Sequence, residues 1–241
     1  MLKAVLFDLD DTLLGNSMEV FVPAYFEALT RYMAHLIPQD RLIAELMRGT
    51  RAMEKNDGSG PTNEEVFAHV FYPAVGYEQS VLEPLFRQFY LHEFPNLQHL
   101  TQQREEARPL VEWAFERGWR VVVATNPLFP RLPIEHRLSW AGVPADEFDY
   151  ALLTCYENMH ATKSHPAYYG EILERLDVRP NECLMVGDHW EWDILQSSSV
   201  GIPAYWIAEP THTPPTDDVA LVGQGTLAEL WGQIETGVLS L

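Results

Sequence analysis

Apolar positions divide the chain into two textures. Near its start, "KAVLF" from Lys3 to Phe7 is a short apolar run that predicts a buried strand. From Met18 to Ile37 the apolar residues fall at Val22, Tyr25, Phe26, Leu29, Tyr32, Met33, Leu36 and Ile37, the three-four spacing of an amphipathic helix. "DRLIAELMRGTRAMEK" repeats that pattern with Asp40 placed to cap it, and turn-rich "NDGSGP" follows. Thr62 and Glu65 have capping-box spacing ahead of "VFAHVFY". "SVLEPLFRQFYLHEF" reads as a further helix, with Pro84 early in it or marking a kink. Residues 17 to about 100 are therefore predicted to be all-helical.

From Arg108 onward, helical periodicity alternates with short continuous apolar runs. Helices are predicted at "ARPLVEWAFERG", "RLPIEHRLSWAG", "HPAYYGEILERLD", "HWEWDILQSSSVG" and "GTLAELWGQI". Strands are predicted at "WRVVVATN", "YALLT", "ECLMVGD" and "IPAYWI". Apolar strands alternating with helices mean a parallel sheet covered on both faces. The fold class is α/β: a Rossmann-like parallel sheet core interrupted after its first strand by an inserted helical unit. "EPTHTPPTDD" reads as a surface loop.

Composition narrows the function. The 241 residues are 46% hydrophobic with 12% aromatics, which is globular. A net charge of −19 argues against nucleic acid or an anionic membrane as partner, since both need basic patches. No apolar stretch approaches the roughly 18 residues of a spanning helix, and the N-terminal run does not read as a signal peptide. Cys155 and Cys183 sit in or beside apolar runs and read as reduced core thiols. A cytoplasmic location is expected.

Three predicted strands end in polar groups, "VLFDLD", "VVVATN" and "CLMVGD", and ligands of open α/β sheets bind at carboxyl ends of strands. Asp8 and Asp10, two apart, point the same way in extended chain. With the strands side by side, Asp8, Asp10, Thr125, Asn126 and Asp188 converge on one edge. Asp193 lies one turn into the next helix, placed to face back. Carboxylates so crowded repel unless protonated or met by a cation. Hard oxygen donors with little His or Cys suit Mg²⁺. Lys163, one of only three lysines, falls between a strand and a helix at the same edge and offers a compact positive charge. Capping accounts for Asp8, Asp11 or Asp188 singly but not for Asp8 with Asp10. His165 and His189, which flank these positions, read as hydrogen-bonded bystanders.

These residues resemble the haloacid dehalogenase superfamily in its phosphatase-like branch. "DLDDT" at Asp8–Thr12 matches its Asp-x-Asp-x-Thr motif, "ATN" at 124–126 its second motif, Lys163 its third, and "GDHWEWD" at 187–193 its fourth. The resemblance implies a core of residues 1–16 and 101–241 and a helical cap domain of the first type at 17–100. It implies that Asp8 is the nucleophile forming an aspartyl-phosphate, and Asp10 the general acid and base. Thr125 and Asn126 would bind phosphoryl oxygens, and Lys163 would screen charge. Mg²⁺ would be held by Asp8, the Asp10 carbonyl and Asp188, with Thr12 and Asp193 supporting. Asp10 points to phosphate rather than halide chemistry, because a departing halide needs no proton. Two departures stand out: Ser164-His165-Pro166 where the family commonly has Pro-x-Pro, and His189 where a small polar residue is common.

The expected function is Mg²⁺-dependent hydrolysis of a small phosphorylated metabolite. The alternatives are a phosphomutase or phosphotransferase of the same family, or a phospho-aspartate signalling or binding module without turnover. In the helical insert, Arg48, Arg51 and Lys55 read as a solvated face, and Phe67, Phe71, Tyr72, Phe86, Phe89 and Tyr90 as the insert's own core.

Overall fold

The computed structural model describes all residues except Asp217, Asp218, Ala220, Ser240 and Leu241. Its first strand, β1 (Ala4–Phe7), is fully buried. A two-residue strand β2 (Leu14–Gly15) follows, then four helices: α1 (Met18–Met33), α2 (Gln39–Glu54), α3 (Asn63–Val75) and α4 (Gln79–His92). A 3₁₀ segment, Phe94–Leu100, leads to β3 (Gln102–Gln103), which pairs antiparallel with β2. The helical insert thus begins and ends at a small ribbon that the hydrophobic pattern does not predict, because two residues are too few for a period.

The rest alternates as expected: α5 (Ala107–Glu116), β4 (Arg120–Val123), α6 (Arg131–Trp140), β5 (Leu152–Leu153), α7 (Pro166–Leu176), β6 (Cys183–Gly187), the short helix α8 (Gln196–Ser199), β7 (Ala204–Ile207), β8 (Leu221–Gly225) and α9 (Leu227–Glu235). The main sheet runs β5-β4-β1-β6-β7-β8 with every pair parallel. β1 is flanked by β4 and β6, and the order reverses there: the chain builds outward to β5, then crosses to β6. Phe7 lies level with both Val123 and Val186, so these three strands end together. One core cluster joins the sheet to the insert; the other fills the opposite face with Tyr168, Tyr169 and Ile172. Cys155 and Cys183 are buried and free.

Several boundaries depart from the expectation. α1 ends at Met33 rather than Ile37, and residues 34–36 form a turn that leads to Pro38. α2 begins at Gln39 with Pro38 at its N-cap, so Asp40 lies inside the first turn instead of capping it. The box at Thr62 and Glu65 forms as expected. The hydrophobic pattern does not predict β8: "LVGQG" carries two glycines, and Gly223 is needed because a Cβ there would come within 2.7 Å of the Tyr205 ring. The loop expected at 209–218 is largely exposed over its described part; Asp217 and Asp218 lie outside the described residues. No helix among the described residues is long and apolar enough to cross a membrane.

Candidate active site

The level ends of β1, β4 and β6 deliver Asp8, Thr125 and Asp188 to one rim. Asp8 N–H still donates to the Val186 carbonyl at 2.9 Å, and Ala124 N–H to the Phe7 carbonyl at 2.7 Å. Past Asp8 the chain leaves the extended conformation. Asp11 has φ +56° and accepts a hydrogen bond from Asn16 N–H at 3.1 Å, closing a tight turn. Asp8 and Asp10 therefore do not share the direction that a straight strand would impose. Asp8 turns to Lys163, and Asp10 turns to α6.

Lys163 comes from the β5–α7 connection and is 2% exposed. Its Nζ lies 2.6 Å from Asp8 Oδ1 and forms a second ion pair with Asp193 Oδ1. Its backbone N–H donates to Asn126 Oδ1 at 3.3 Å, tying the β4 end to the lysine. Ser164-His165-Pro166 does not displace it: Pro166 opens α7, and a His165 ring nitrogen lies 2.9 Å from the Glu54 carbonyl of the insert. Thr125 is buried, and its carbonyl accepts from Thr154 Oγ1 at 2.7 Å and Tyr168 OH at 3.0 Å.

Asp193 arrives on a π-helical turn, Trp190–Leu195, rather than a regular helix. Such wide turns recur at functional sites. His189 caps this turn, accepting from Trp192 N–H at 3.2 Å, and stacks on the Trp192 ring at 4.0 Å. The Asp193 carboxylate lies flat against Gly187, where a Cβ would approach Oδ2 to 2.3 Å. Asp188 receives Thr12 Oγ1 at 3.4 Å, and its carbonyl accepts the Trp206 indole N–H at 2.8 Å.

Carboxylate oxygens of Asp8, Asp188 and Asp193 lie within 4.8 Å of one another. Burial raises the Asp8 carboxyl well above its usual range, opposed by Lys163 and reinforced by Asp193 and Asp188. Burial, with Asp193 adding to it, raises Asp188 to about 7. Burial pulls the Lys163 ammonium down, but Asp193 and Asp8 outweigh it and the net shift is upward. Three crowded carboxylates against one lysine leave negative charge uncompensated. That all-oxygen set fits a hard divalent ion such as Mg²⁺.

Sequence reasoning missed Arg137 and Asn16. Arg137 Nη1 pairs with Asp10 Oδ2, and Asn16 Nδ2 donates to Asp10 Oδ1 at 2.7 Å. The signal was present: the buried residues of α6 are Pro133, Ile134, Arg137, Leu138 and Trp140, so an arginine stands on its apolar stripe.

Between the insert helices and the chain after β4 lies a cavity of about 570 Å³. Tyr25, Phe67, Phe86, Tyr90, Phe129 and Tyr156 are among its walls. Phe71 and Phe89 are insert core as expected, but Phe67, Tyr72, Phe86 and Tyr90 also face this space. Arg48, Arg51 and Lys55 are exposed, and the cationic groups of the lining are Arg87 and Arg131. Met18, on the cavity wall, contacts Asn16 through its sulfur at 3.8 Å.

The parallel sheet carries helices on both faces and a helical insert after its first strand, and the acidic cluster with Lys163 lies at the switch point where open α/β sheets bind their ligands. The sequence model of haloacid dehalogenase-like hydrolases matches residues 2–196, and the chain belongs to that family. Pyrophosphatase PpaX of Bacillus cereus is 23% identical over 200 residues, covering 83% of this chain and 80% of that protein. A HAD phosphatase from Thermococcus onnurineus has the same fold, with a TM-score of 0.58 and 24% identity over 98% of both chains. A 2-haloacid dehalogenase from Pseudomonas syringae superposes with a TM-score of 0.67 and 22% identity, over 98% of this chain and 100% of its own.

Proposed function

We propose that this hydrolase is a Mg²⁺-dependent phosphatase that cleaves a small phosphorylated metabolite through an aspartyl-phosphate on Asp8. The observation that carries the reading is the buried Asp8 carboxylate, held 2.6 Å from Lys163 Nζ beside two further carboxylates at the sheet's switch point. Its likeness to a pyrophosphatase and its possession of Asp10 support phosphate rather than halide as the group transferred.

In this mechanism an Asp8 carboxylate oxygen attacks phosphorus, the P–O bond to the leaving group breaks, and Asp10 gives the departing oxygen its proton. Asp10 then takes a proton from water as that water attacks phosphorus, releasing inorganic phosphate and restoring Asp8. Lys163 screens the approach of two anions, and the Thr125 hydroxyl with Asn126 N–H holds phosphoryl oxygens. Asp8, the Asp10 carbonyl and Asp188 are the residues that would hold Mg²⁺, with Thr12 and Asp193 fixing them. When bound, the ion supplies charge neutralisation between carboxylate and phosphate. Residues 1–16 and 101–241 act as the core, and residues 17–100 as a cap whose aromatic cavity takes the leaving group.

The test is release of inorganic phosphate from an aryl phosphate by the wild-type chain with Mg²⁺, with EDTA, and by Asp8→Asn. Loss of release in the last two is expected. Turnover that survives either change overturns the mechanism, and a long-lived phosphoprotein without release converts the reading to a signalling module.

A further inference from the structure

Arg137 is 1% exposed, yet only one of its terminal nitrogens meets an anion. Three contacts fix its guanidinium. Nε donates to the Pro133 carbonyl of its own helix at 3.2 Å, Cζ lies 4.9 Å from the centre of the Phe129 ring, and Nη1 pairs with Asp10 Oδ2. Nη2 is buried with no hydrogen-bond partner among the described residues. Asn16, 1% exposed, donates to the other Asp10 oxygen at 2.7 Å. Both oxygens of Asp10 are therefore gripped from the α6 side, while Lys163 is taken by Asp8 and Asp193.

A guanidinium buried with an unfilled donor is unfavourable unless its single anionic contact matters. Buried ion pairs are often replaceable by well-packed apolar residues without loss of stability, so stability alone is a weak reason for this one. Here the anion is the side chain read above as the proton-transfer group. It keeps 15% of its side chain exposed at the rim, whereas Arg137, among the described residues, has no ion pair or hydrogen bond to Asp8, Asp188 or Asp193.

We propose that Arg137 is a positioning residue: through Nη1, and with Asn16 on the opposite oxygen, it sets the direction of the Asp10 carboxylate. Phe129 and Pro133 hold the guanidinium so that this direction is built in before substrate arrives. The inference rests on the reading of Asp10 as the group that serves the leaving oxygen.

The experiment uses the full chain with Mg²⁺ and two substrates, 4-nitrophenyl phosphate and glycerol phosphate, whose leaving groups differ in their need for a proton. Arg137→Met is expected to lower kcat on glycerol phosphate by about 10–100-fold, the scale of a misplaced proton-transfer group, with KM within about twofold. The loss on 4-nitrophenyl phosphate is expected to be smaller, since that leaving group departs unprotonated. In an Asp10→Asn background, Arg137→Met is expected to change kcat by less than about twofold, because a positioning residue has nothing left to position. Equal losses on both substrates, a rise in KM in place of the fall in kcat, or full additivity with Asp10→Asn would overturn the proposal. If circular dichroism shows Arg137→Met unfolded, Arg137→Lys carries the test. It keeps the charge but not the planar fork, so an intermediate loss confined to glycerol phosphate supports the proposal and wild-type kinetics refute it. Failure of the phosphatase reading itself shows separately, as no release of inorganic phosphate from either substrate by the wild-type chain with Mg²⁺.

Discussion

Gly187→Ala isolates how closely the site is packed. The added Cβ would stand 2.3 Å from Asp193 Oδ2, 2.5 Å from its Cγ and 2.7 Å from its Cβ, so the Oδ2 must retreat to 3.0 Å or beyond. Asp193 is fully buried and has little room: Lys163 pairs with one oxygen, and His189 N–H donates to the other at 3.0 Å. Overpacking of this kind costs about 1–3 kcal/mol. A charge-assisted hydrogen bond lost in the retreat adds about 1.5–3 kcal/mol. A net destabilisation of about 3 kcal/mol corresponds to a Tm lower by about 6–12 °C in a chain of this size. Scanning calorimetry in EDTA measures it on the fold alone. Gly170→Ala is the control: inside α7, its Cβ would meet nothing within 4 Å, so better helix propensity should raise Tm by about 2 °C. A Gly187→Ala Tm within about 2 °C of wild type would refute the claim that Gly187 exists to seat Asp193.

Two further outcomes test the scaffold. Asn63 is fully buried at the start of α3; its amide donates to the Pro127 and Ala161 carbonyls at 3.3 and 3.2 Å and accepts from Asn56 at 2.9 Å. Asn63→Ala strands those partners and should cost about 3 kcal/mol by urea denaturation; a change under about 1 kcal/mol would show that the insert does not depend on this junction. At the other end of the sheet, hydrogen bonds from the Arg179 side chain, from Lys3 and from Arg179 N–H hold the Glu182 carboxyl well below its ordinary 4.5. A folded-state pKa below the unfolded one means that its stabilisation is present above about pH 4.5 and fades as pH falls through that range. Glu182→Gln should therefore lower Tm at neutral pH, with the gap narrowing in acid. A gap constant down to about pH 3 contradicts the assignment.

Much of this protein is written locally. Apolar runs of four or five residues can only be buried strands when helices alternate with them, so β1, β4, β6 and β7 followed from pattern alone. The three-four spacing from Val22 onward gave the insert helices, and Thr62 with Glu65 gave a cap whose geometry needs nothing outside four residues. Where sequence signals were short or contradictory, tertiary structure decided. Two-residue β2 and β3 exist because each supplies the other's hydrogen bonds, and β8 tolerates glycine because Tyr205 fills the space above it.

The site divides the same way. Asp8, Lys163 and Asp188 were legible as polar residues at strand ends and in the connection before α7, since a parallel sheet brings those positions to one edge whatever the side chains between. Orientation was not legible. The turn at Asp11 sends Asp10 toward α6, and a π-helical turn presses Asp193 onto Gly187 beside Lys163. The ion pairs at these contacts, Lys163–Asp193, Asp10–Arg137 and Asp8–Lys163, join residues 30, 127 and 155 apart in the chain, so no local rule encodes them. Sequence by itself determined which chemistry reaches the rim; only packing across α6, β6 and the β5–α7 connection decided which carboxylate faces which cation, because burial leaves each charge no partner but the one geometry supplies.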